Sequence, residues 1–135
     1  MSVETHRRVL MRFHEEVFNQ RNLAVIDEVL HPRYAHHDAG STSADEHKKI
    51  LADQLAGQSN FRVEVGHTIV EGNSAAVEVA HYQGDRKYRT GVALFTFEDG
   101  LIISDRFWYR LVSEAESVDA DLVPEPGAAP PETSG

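Results

Sequence analysis

Hydrophobic residues recur at helical spacing through the first half of the chain. This spacing predicts an amphipathic helix over Val3–Asn19 and a second, shorter helix over Leu23–Leu30, which Pro32 ends. A third helix is predicted over Ser43–Gly57, because a serine and a glutamate stand three residues apart at its start, as in a capping box. The first helix carries its apolar residues on one side: Leu10, Phe13, Val17 and Phe18.

From residue 61 onward the hydrophobic period changes to two, which is typical of β-strands. Turn sequences at Gly72-Asn73, Gly84-Asp85 and Asp99-Gly100 separate four predicted strands: residues 61–69, 75–81, 88–98 and 101–111. A short extended segment is also expected at Arg33–Asp38. Three helices followed by an antiparallel meander indicate an α+β domain whose helices pack on one face of the sheet.

The last predicted strand carries a single carboxylate among apolar side chains. Side chains alternate between the two faces of a strand, so Asp105 is expected to share its face with Leu101, Ile103, Phe107, Tyr109 and Leu111. Burial of an unpaired carboxylate is costly and raises its pKa. Two interpretations follow. Asp105 transfers protons in an enzyme, or it makes a buried structural contact with Arg89, Arg106 or a backbone amide.

Composition narrows the class of protein. The 135 residues suffice for one domain with a single core, which we expect to span residues 1–112. Residues 113–135 hold four of the five prolines and six acids without Lys or Arg, which predicts a disordered acidic tail. Of the net charge of −9, the other residues carry only −3, so no basic surface for nucleic acid is expected.

Two further classes are excluded by what the chain lacks. It has no cysteine, which rules out disulfides, thiolate metal sites and cysteine nucleophiles. No hydrophobic run approaches membrane-spanning length, and the polar N-terminus has no signal-peptide core. We therefore expect a cytoplasmic protein with no membrane partner.

Three stretches carry a family resemblance: Arg12–Leu23 at the end of the first helix, Tyr34–Asp38 after the second, and Phe97–Ile102 before the last strand. In this order they resemble the SnoaL-like polyketide cyclases of the nuclear transport factor 2-like superfamily. The resemblance covers about residues 5–110. It implies a cone-shaped α+β fold, in which a strongly curved antiparallel sheet wraps around three N-terminal helices and encloses an apolar pocket.

The resemblance also implies catalytic residues. In such cyclases a carboxylate or histidine on the last strand acts as acid and base, and Asp105 stands there. The ketosteroid isomerase branch places its base just after the second helix, where this chain has Asp38. That branch builds an oxyanion hole from a tyrosine on the first helix and an acid on the sheet. Phe13 and Ala93 stand at the matching positions, which argues against steroid isomerisation itself.

Other side chains are expected to face the pocket, each with a simpler structural alternative. His81 is predicted to contact a substrate carbonyl or to orient Asp105, unless it is a satisfied core histidine. Tyr34 is a candidate donor to an oxyanion, or a packing residue. Adjacent His36 and His37 face opposite sides of a strand, so one at most enters the pocket, and His37 is the predicted substrate contact. The remaining predicted substrate contacts are His14, Phe13, Phe95, Phe107 and Tyr109.

The sequence lacks the motifs that are typical of metal sites and of serine hydrolases. His36, His37, Asp38 and His81 show no His-x-His or His-x-x-x-His spacing, so no metal site is expected. No Gly-x-Ser-x-Gly motif is present, which argues against a serine hydrolase.

The first functional hypothesis is a cofactor-independent cyclase or isomerase for a hydrophobic, polyketide-like carbonyl substrate. One carboxylate would remove a proton, and the other carboxylate or His81 would return one. The ring would close by aldol addition or by formation of a cyclic ether. The pocket would hold the two ends of a flexible substrate together, which lowers the entropic barrier to closure.

Two alternatives stay open. A dehydratase or epoxide-opening hydrolase would use Asp38 and Asp105 with Arg89 or Arg106, in an Asp-Arg-Asp arrangement. A non-catalytic module would only bind a small molecule or dimerise. In every case a homodimer is expected. The predicted dimer patch lies opposite Asp105 and comprises Ile102, Trp108 and Val112.

Overall fold

The computed structural model describes residues 2–38 and 40–113. The predicted tail therefore lies outside the described residues, except for Ser113. The described part begins with three helices: α1 (Val3–Arg12, continued by π-helical turns over Phe13–Asn19), α2 (Ile26–Val29, preceded by a 3₁₀ turn over Leu23–Val25) and α3 (Ala44–Gly57). One strand lies between the second and the third helix, and four more follow the third helix to complete a five-stranded sheet, which confirms the predicted α+β class.

The first and third helices begin as the sequence predicts, whereas the second is shorter at both ends and the first changes its winding. The Ser43 hydroxyl accepts a hydrogen bond from the Glu46 amide at 3.0 Å, which confirms the predicted cap of α3. The second helix is shorter than predicted, because Leu30 already pairs in a strand. The first helix widens into π-helical turns at its end, and these turns bury Phe13 and His14 on its inner side.

The sheet contains the predicted meander and one further strand. Its strands are β1 (Leu30–His36), β2 (Phe61–Glu71), β3 (Ser74–Gln83), β4 (Arg86–Glu98) and β5 (Leu101–Leu111). Their order is β1-β5-β4-β3-β2, with β2 to β5 antiparallel and β1 parallel to β5. The extended segment after α2 is therefore an edge strand, where Pro32 is tolerated because an edge residue can forgo a ladder hydrogen bond.

A β-bulge shifts the side-chain phase within β5. The register between β4 and β5 slips by one residue at Ile103. Ile102 and Asp105 are consequently both buried, although strict alternation predicted them on opposite faces. Phe107 and Tyr109 lie on the same face of the sheet as Asp105, as expected, because the register between β4 and β5 does not shift again after the bulge.

A second bulge changes the exposure of β2. Strict alternation predicts that Val65, His67 and Ile69 continue the buried face begun by Phe61 and Val63. The register between β2 and β3 shifts after Val65, and the strand leaves the core there. The His67 side chain is 95% exposed and Ile69 is 67% exposed, so the predicted core position of His67 is wrong.

The core lies between the helices and the inner face of the sheet. The helices contribute Leu10, Phe13, Val17, Val25, Ile26 and Val29, and the sheet contributes Val77, Val79, Ala93, Phe95 and Ile102. In the part of the chain that the structure describes, no helix is both long and apolar enough to cross a membrane.

The outer face of the sheet differs from the predicted dimer patch. Ile102 and Val112 are buried, because the bulge turns Ile102 inward and the Val112 amide donates to the Tyr88 carbonyl. Trp108 remains exposed on this face, as predicted. Its exposed apolar neighbours are Val92, which is its register partner, and Leu94.

Candidate active site

A cavity of about 270 Å³ lies between the helices and the inner face of the sheet, and Asp105 lines it. The cavity also contains seven other predicted site residues: Asp38, His81, His14, Phe13, Phe95, Phe107 and Tyr109. The two predicted residues that do not line it are Tyr34 and His37. Asp38 and Asp105 therefore share one cavity, which the sequence alone left undecided.

Asp105 is a buried carboxylate with few partners. It is 6% exposed, and its Oδ2 accepts a hydrogen bond from the Tyr34 hydroxyl at 3.4 Å. The Nε2 atom of His36 lies 3.7 Å from the same oxygen. No hydrogen-bond partner reaches Oδ1 within the described residues. This arrangement leaves an ionised Asp105 poorly compensated.

The pKa of Asp105 is raised from 3.8 to about 7, mainly by burial. The negative charge of Asp38 raises it further, whereas the Tyr34 hydroxyl and the Arg106 amide lower it. At neutral pH the carboxyl group is therefore divided between its acid and its base form. A group with this pKa can both accept and donate a proton under physiological conditions.

Asp105→Asn is expected to stabilise the protein at pH 8 by about 1–3 kcal/mol. The folded-state pKa lies above the unfolded value, so the stability from this carboxyl is present below pH 3.8 and lost as the pH rises through 7. Keeping Asp105 ionised in the folded state costs on the order of 4 kcal/mol, and Asn avoids this cost. The buried Asn amide without a hydrogen-bond partner costs about 1–3 kcal/mol in turn, so the net gain is the difference. Urea unfolding at pH 8 and at pH 5 measures the difference, and the gain should vanish at pH 5. A loss of about 2 kcal/mol at pH 8 would instead show that Asp105 holds a buried ionic network together.

Tyr34 supports Asp105 from behind the cavity. The side chain is fully buried, and its hydroxyl is a donor to the carboxylate. Burial is the main cause that raises the Tyr34 pKa, and the Asp105 charge adds to it, so the hydroxyl stays protonated. Tyr34 is not among the residues that line the cavity, so its place in the site is behind Asp105.

Asp38 stands at the exposed end of the cavity, where β1 ends. Its Oδ2 accepts a hydrogen bond from the Phe107 amide at 2.6 Å. The preceding residue, His37, donates its amide to the Asp105 carbonyl at 3.1 Å, so the chain continues along β5 beyond the end of β1. In a continued ladder, the Phe107 amide would donate to a backbone carbonyl of β1. The Asp38 carboxylate accepts this hydrogen bond instead and so fixes β5 close to Asp105.

His36, and not His37, enters the cavity. Tyr34 is buried on β1, and strand alternation then places His36 on the same face and His37 outside. The His36 ring stacks on His47 of α3 at a centroid distance of 5.0 Å. Burial is the main cause that lowers the pKa of both rings, that of His47 to about 4. The sequence contained the signal for His36, namely its spacing of two residues from the inward Tyr34.

His81 is a neutral hydrogen-bond donor. Its Nδ1 accepts a hydrogen bond from the Nε of Arg89 at 2.8 Å, and arginine only donates, so the proton of the imidazole sits on Nε2. Burial, and after it the positive charge of Arg89, lowers the His81 pKa to about 3. A ring with this lowered pKa is neutral at physiological pH, which does not favour the predicted return of a proton by His81.

His14 has the opposite tautomer. Its Nδ1 lies 2.9 Å from the Leu10 carbonyl, which only accepts, so Nδ1 carries the proton and Nε2 is an acceptor. Burial lowers the His14 pKa to about 4. The cavity therefore combines a neutral donor, His81, a neutral acceptor, His14, and a carboxyl group that titrates near neutrality.

The Asp-Arg-Asp arrangement is not formed among the described residues. Neither Arg89 nor Arg106 lies within salt-bridge distance of Asp38 or Asp105. Arg106 points to the outer face, where its guanidinium carbon lies 5.0 Å from the centre of the Trp108 ring. The geometry therefore does not favour an epoxide-opening hydrolase.

One cluster within the described residues has metal-ligand types: His31, Glu98 and Asp99. The Nδ1 of His31 accepts a hydrogen bond from the Arg33 amide at 3.1 Å, which leaves the proton on Nε2. This Nε2 lies 3.4 Å from a Glu98 oxygen. The Nε2 of His31 is thus a hydrogen-bond donor to the carboxylates, whereas a metal would require its lone pair. Hydrogen bonding therefore explains why these three residues lie together.

A larger groove of about 630 Å³ lies on the other side of His14, between α1 and β2. It shares only His14 and Val63 with the Asp105 cavity, and its rim carries arginine and glutamate side chains. Its two carboxylates, Glu15 and Glu64, are exposed, whereas that of Asp105 is buried. We therefore place the candidate site in the smaller cavity, which contains Asp105, His81 and His14 together.

Comparison with solved structures agrees with this fold. A protein from Kribbella flavida inferred to be a ketosteroid isomerase aligns with a TM-score of 0.69 and 20% identity, over 96% of this chain and 93% of its own. An inferred polyketide cyclase from Acidithiobacillus ferrooxidans aligns with a TM-score of 0.68 and 13% identity, over 89% and 96%. TsrD from Streptomyces laurentii aligns with a TM-score of 0.67 and 16% identity, over 90% and 97%.

At these identities the structures share the fold with this chain, and nothing further follows from them about its reaction. No curated protein matches the sequence. The family model of the SnoaL-like domain matches residues 10–104, which is more than half of the chain. The protein is therefore a member of the SnoaL-like domain family.

Proposed function

We propose that this protein is a cyclase or isomerase that uses Asp105 as its acid and base on a hydrophobic carbonyl substrate. The observation that carries the proposal is a carboxyl group with a pKa of about 7 in a cavity about half of whose lining residues are apolar. Relatives of this fold include proteins inferred to be polyketide cyclases and a ketosteroid isomerase. Both names describe chemistry at carbon next to a carbonyl group.

In the first step, the Asp105 carboxylate accepts a proton from the carbon next to the substrate carbonyl. The electron pair of the broken C–H bond moves into the carbonyl group and forms an enolate. The Nε2–H of His81 is placed to donate a hydrogen bond to the developing oxyanion, because Arg89 holds the opposite nitrogen. A neutral imidazole donor stabilises the enolate without surrendering its own proton.

In the second step, the enolate carbon attacks a second carbonyl carbon of the same substrate. The new C–C bond closes the ring, and the resulting alkoxide takes back the proton from the Asp105 carboxylic acid. Addition of a substrate hydroxyl to an enone would use the same group, which first removes the O–H proton and then returns it to carbon. An isomerase would omit the ring closure and return the proton to a different carbon. Proton transfer in each case uses only groups of the protein and the substrate.

The other residues of the cavity position these groups. The Tyr34 hydroxyl holds Oδ2, and Asp38 fixes the backbone at Phe107, two residues after Asp105. The rings of Phe13 and Phe95 form the apolar wall that excludes water and keeps the pKa of Asp105 high. We assign catalysis to Asp105 and substrate contact to His81 and His14, whereas Tyr34 and Asp38 are positioning residues.

The test uses an enolisable ketone in place of the unidentified substrate. 2-Tetralone, a bicyclic ketone, is incubated with the protein in deuterated water, and ¹H NMR follows exchange of the protons next to the carbonyl. The protein should accelerate exchange, and the rate should rise with pH to a plateau with a midpoint near 7, because the base form of Asp105 is required. Binding of the ketone without acceleration at any pH would favour the non-catalytic binding module instead.

We also propose that the protein forms a homodimer through the outer face of its sheet. Trp108, Val92 and Leu94 lie on adjacent strands and are 49%, 44% and 43% exposed, so they form one apolar patch. Trp108→Glu should convert a dimer to a monomer in analytical ultracentrifugation, because a carboxylate would be buried at the interface. Met11→Glu places the same charge on an exposed residue of α1 and should leave the dimer intact. A monomeric wild type, or a Trp108→Glu dimer, contradicts this interface.

A further inference from the structure

Arg89 brings an uncompensated positive charge into the cavity of an acidic protein. The side chain lines the cavity together with Asp105 and His81. No carboxylate of the described residues lies within salt-bridge distance of its guanidinium group. Paired charges are the rule for partly buried arginines, so the absence of an acidic partner in this part of the chain requires an explanation.

The surroundings of Arg89 hold its guanidinium group in one orientation. Its Nε–H donates a hydrogen bond to the Nδ1 of His81 at 2.8 Å. The guanidinium carbon lies 4.9 Å from the centre of the Tyr109 ring, 5.8 Å from that of Phe107 and 5.4 Å from that of Tyr88. The Tyr88 hydroxyl is also a hydrogen-bond partner of this guanidinium group. The two terminal nitrogens carry four N–H donors and form the planar fork that matches a carboxylate, so donors remain for a ligand beside Tyr88. Cation–π contacts thus replace an acidic partner in fixing the side chain.

We infer that Arg89 binds a carboxylate group of the substrate and that the natural substrate is therefore a hydrophobic keto acid. This inference rests on the proposed function, because it names the substrate class of the same site. Arg89 lies beside Phe107 and Tyr109, which follow Asp105 by two and four residues on β5. At about 3.3 Å per residue, the carboxylate anchor and the reacting carbon would stand roughly 7–13 Å apart.

A carboxylate fits this position better than a phosphate or a neutral carbonyl. The cavity also contains the carboxyl groups of Asp38 and Asp105, and a doubly charged phosphate with a single arginine would remain poorly neutralised. A neutral carbonyl would leave the charge of Arg89 without a counterion. The planar, singly charged carboxylate satisfies the fork and neutralises the guanidinium in one contact.

The test compares two ligands that differ only in charge, 2-naphthoate and 2-naphthamide, by isothermal titration calorimetry. The wild type should bind the carboxylate at least tenfold more tightly than the amide. Arg89→Met keeps an apolar side chain of similar length and should abolish this preference while leaving the affinity for the amide within about threefold. Arg86→Met removes the same charge from an exposed position on the same strand and should keep the preference. Circular dichroism of each variant establishes that it is folded.

Each outcome decides between anion binding and a purely structural role. A wild type without preference for the carboxylate overturns the inference, as does an Arg89→Met variant that weakens both ligands equally. In that case Arg89 only orients His81. Loss of the preference in Arg86→Met would assign it to the overall charge and would also overturn the inference. The exchange of 2-tetralone, which carries no carboxylate, depends on Asp105, so the proposed function stands or fails independently of these results.

Discussion

Asp105→Asn is expected to slow the deuterium exchange of 2-tetralone at pH 7.5 by about 10²–10⁴-fold, the range that general acid–base groups contribute. The substitution keeps the size of the side chain and its acceptor for the Tyr34 hydroxyl, but an amide cannot take up a proton. The rate that remains should approach that of buffer, and its pH midpoint near 7 should disappear. ¹H NMR of wild type and variant at matched concentrations measures both effects.

Two further aspartates serve as comparisons. Asp53→Asn removes an exposed carboxylate of α3 and should leave the exchange rate within about twofold. Asp38→Asn keeps an acceptor for the Phe107 amide but removes a negative charge that raises the pKa of Asp105. The midpoint of the pH profile should therefore move to lower pH, with activity retained. Full activity of Asp105→Asn would remove Asp105 from the mechanism.

The second large effect is a loss of stability in acid. Three histidines of the cavity have pKa values that are lowered mainly by burial, to about 4 for His14 and His47 and to about 3 for His81. A histidine with a lowered folded-state pKa contributes stability that is present above its unfolded pKa of 6.5 and lost as the pH falls toward the folded value. Between about pH 6 and pH 5, unfolding therefore takes up between two and three protons at these rings.

Asp105 reduces this proton uptake over the same pH range. Its carboxyl group is protonated in the folded protein and ionised in the unfolded chain, so unfolding releases one proton there. The net uptake is then about two protons, which corresponds to a loss of about 3 kcal/mol of unfolding free energy per pH unit. By pH 4.5 the loss relative to pH 7 should amount to about 4–5 kcal/mol, a large part of the about 5–15 kcal/mol that domains of this size have in total. Urea unfolding at half-unit steps from pH 7 to pH 5 measures the slope.

His14→Asn provides the matched variant for this prediction. The amide nitrogen of Asn can replace the Nδ1 donor to the Leu10 carbonyl, and it does not titrate, so the slope should fall by about one proton. His67→Asn changes a side chain that is 95% exposed and should leave the slope unchanged. Stability that is constant from pH 7 to pH 5 would mean that the buried rings are already protonated or solvated in the folded state.

The hydrophobic periods predicted most of the fold. The three helices and the four strands of the meander are present, with the capped start of α3 at the predicted residue. The strong signals were local ones, such as the change of period at Phe61 and the Asp99-Gly100 turn. Asp99 and Gly100 both have positive φ angles, of 55° and 78°, as a tight hairpin turn requires.

The exceptions come from pairing between strands, which a single sequence does not encode locally. The bulge at Ile103 buries Ile102, and the bulge after Val65 exposes His67. Each bulge moves the side chains beyond it to the other face, so alternation alone assigned these residues incorrectly. Asp105 was still assigned to the same face as Phe107 and Tyr109, because these two residues and Asp105 all follow the bulge and keep a strict alternation.

The partners within the site were also only partly predictable. His36 and His47 meet because α3 packs on β1, and Arg89 meets His81 because the two face each other across β3 and β4. Such contacts depend on tertiary packing, so the sequence indicated the types of residue but not their tautomers. His81 was predicted to deliver a proton, and the hydrogen bond from Arg89 shows it to be a neutral donor.

The protonation state of Asp105 tests the account most directly. ¹³C NMR of protein labelled at the aspartate carboxyl carbons, with Asp105→Asn to assign the signal, follows its titration from pH 4 to pH 9. We predict a midpoint near 7, raised by burial from the ordinary value of 3.8. A midpoint at or below 4 would contradict the account, because Asp105 would then be a permanently ionised group held by partners and unable to donate a proton at neutral pH.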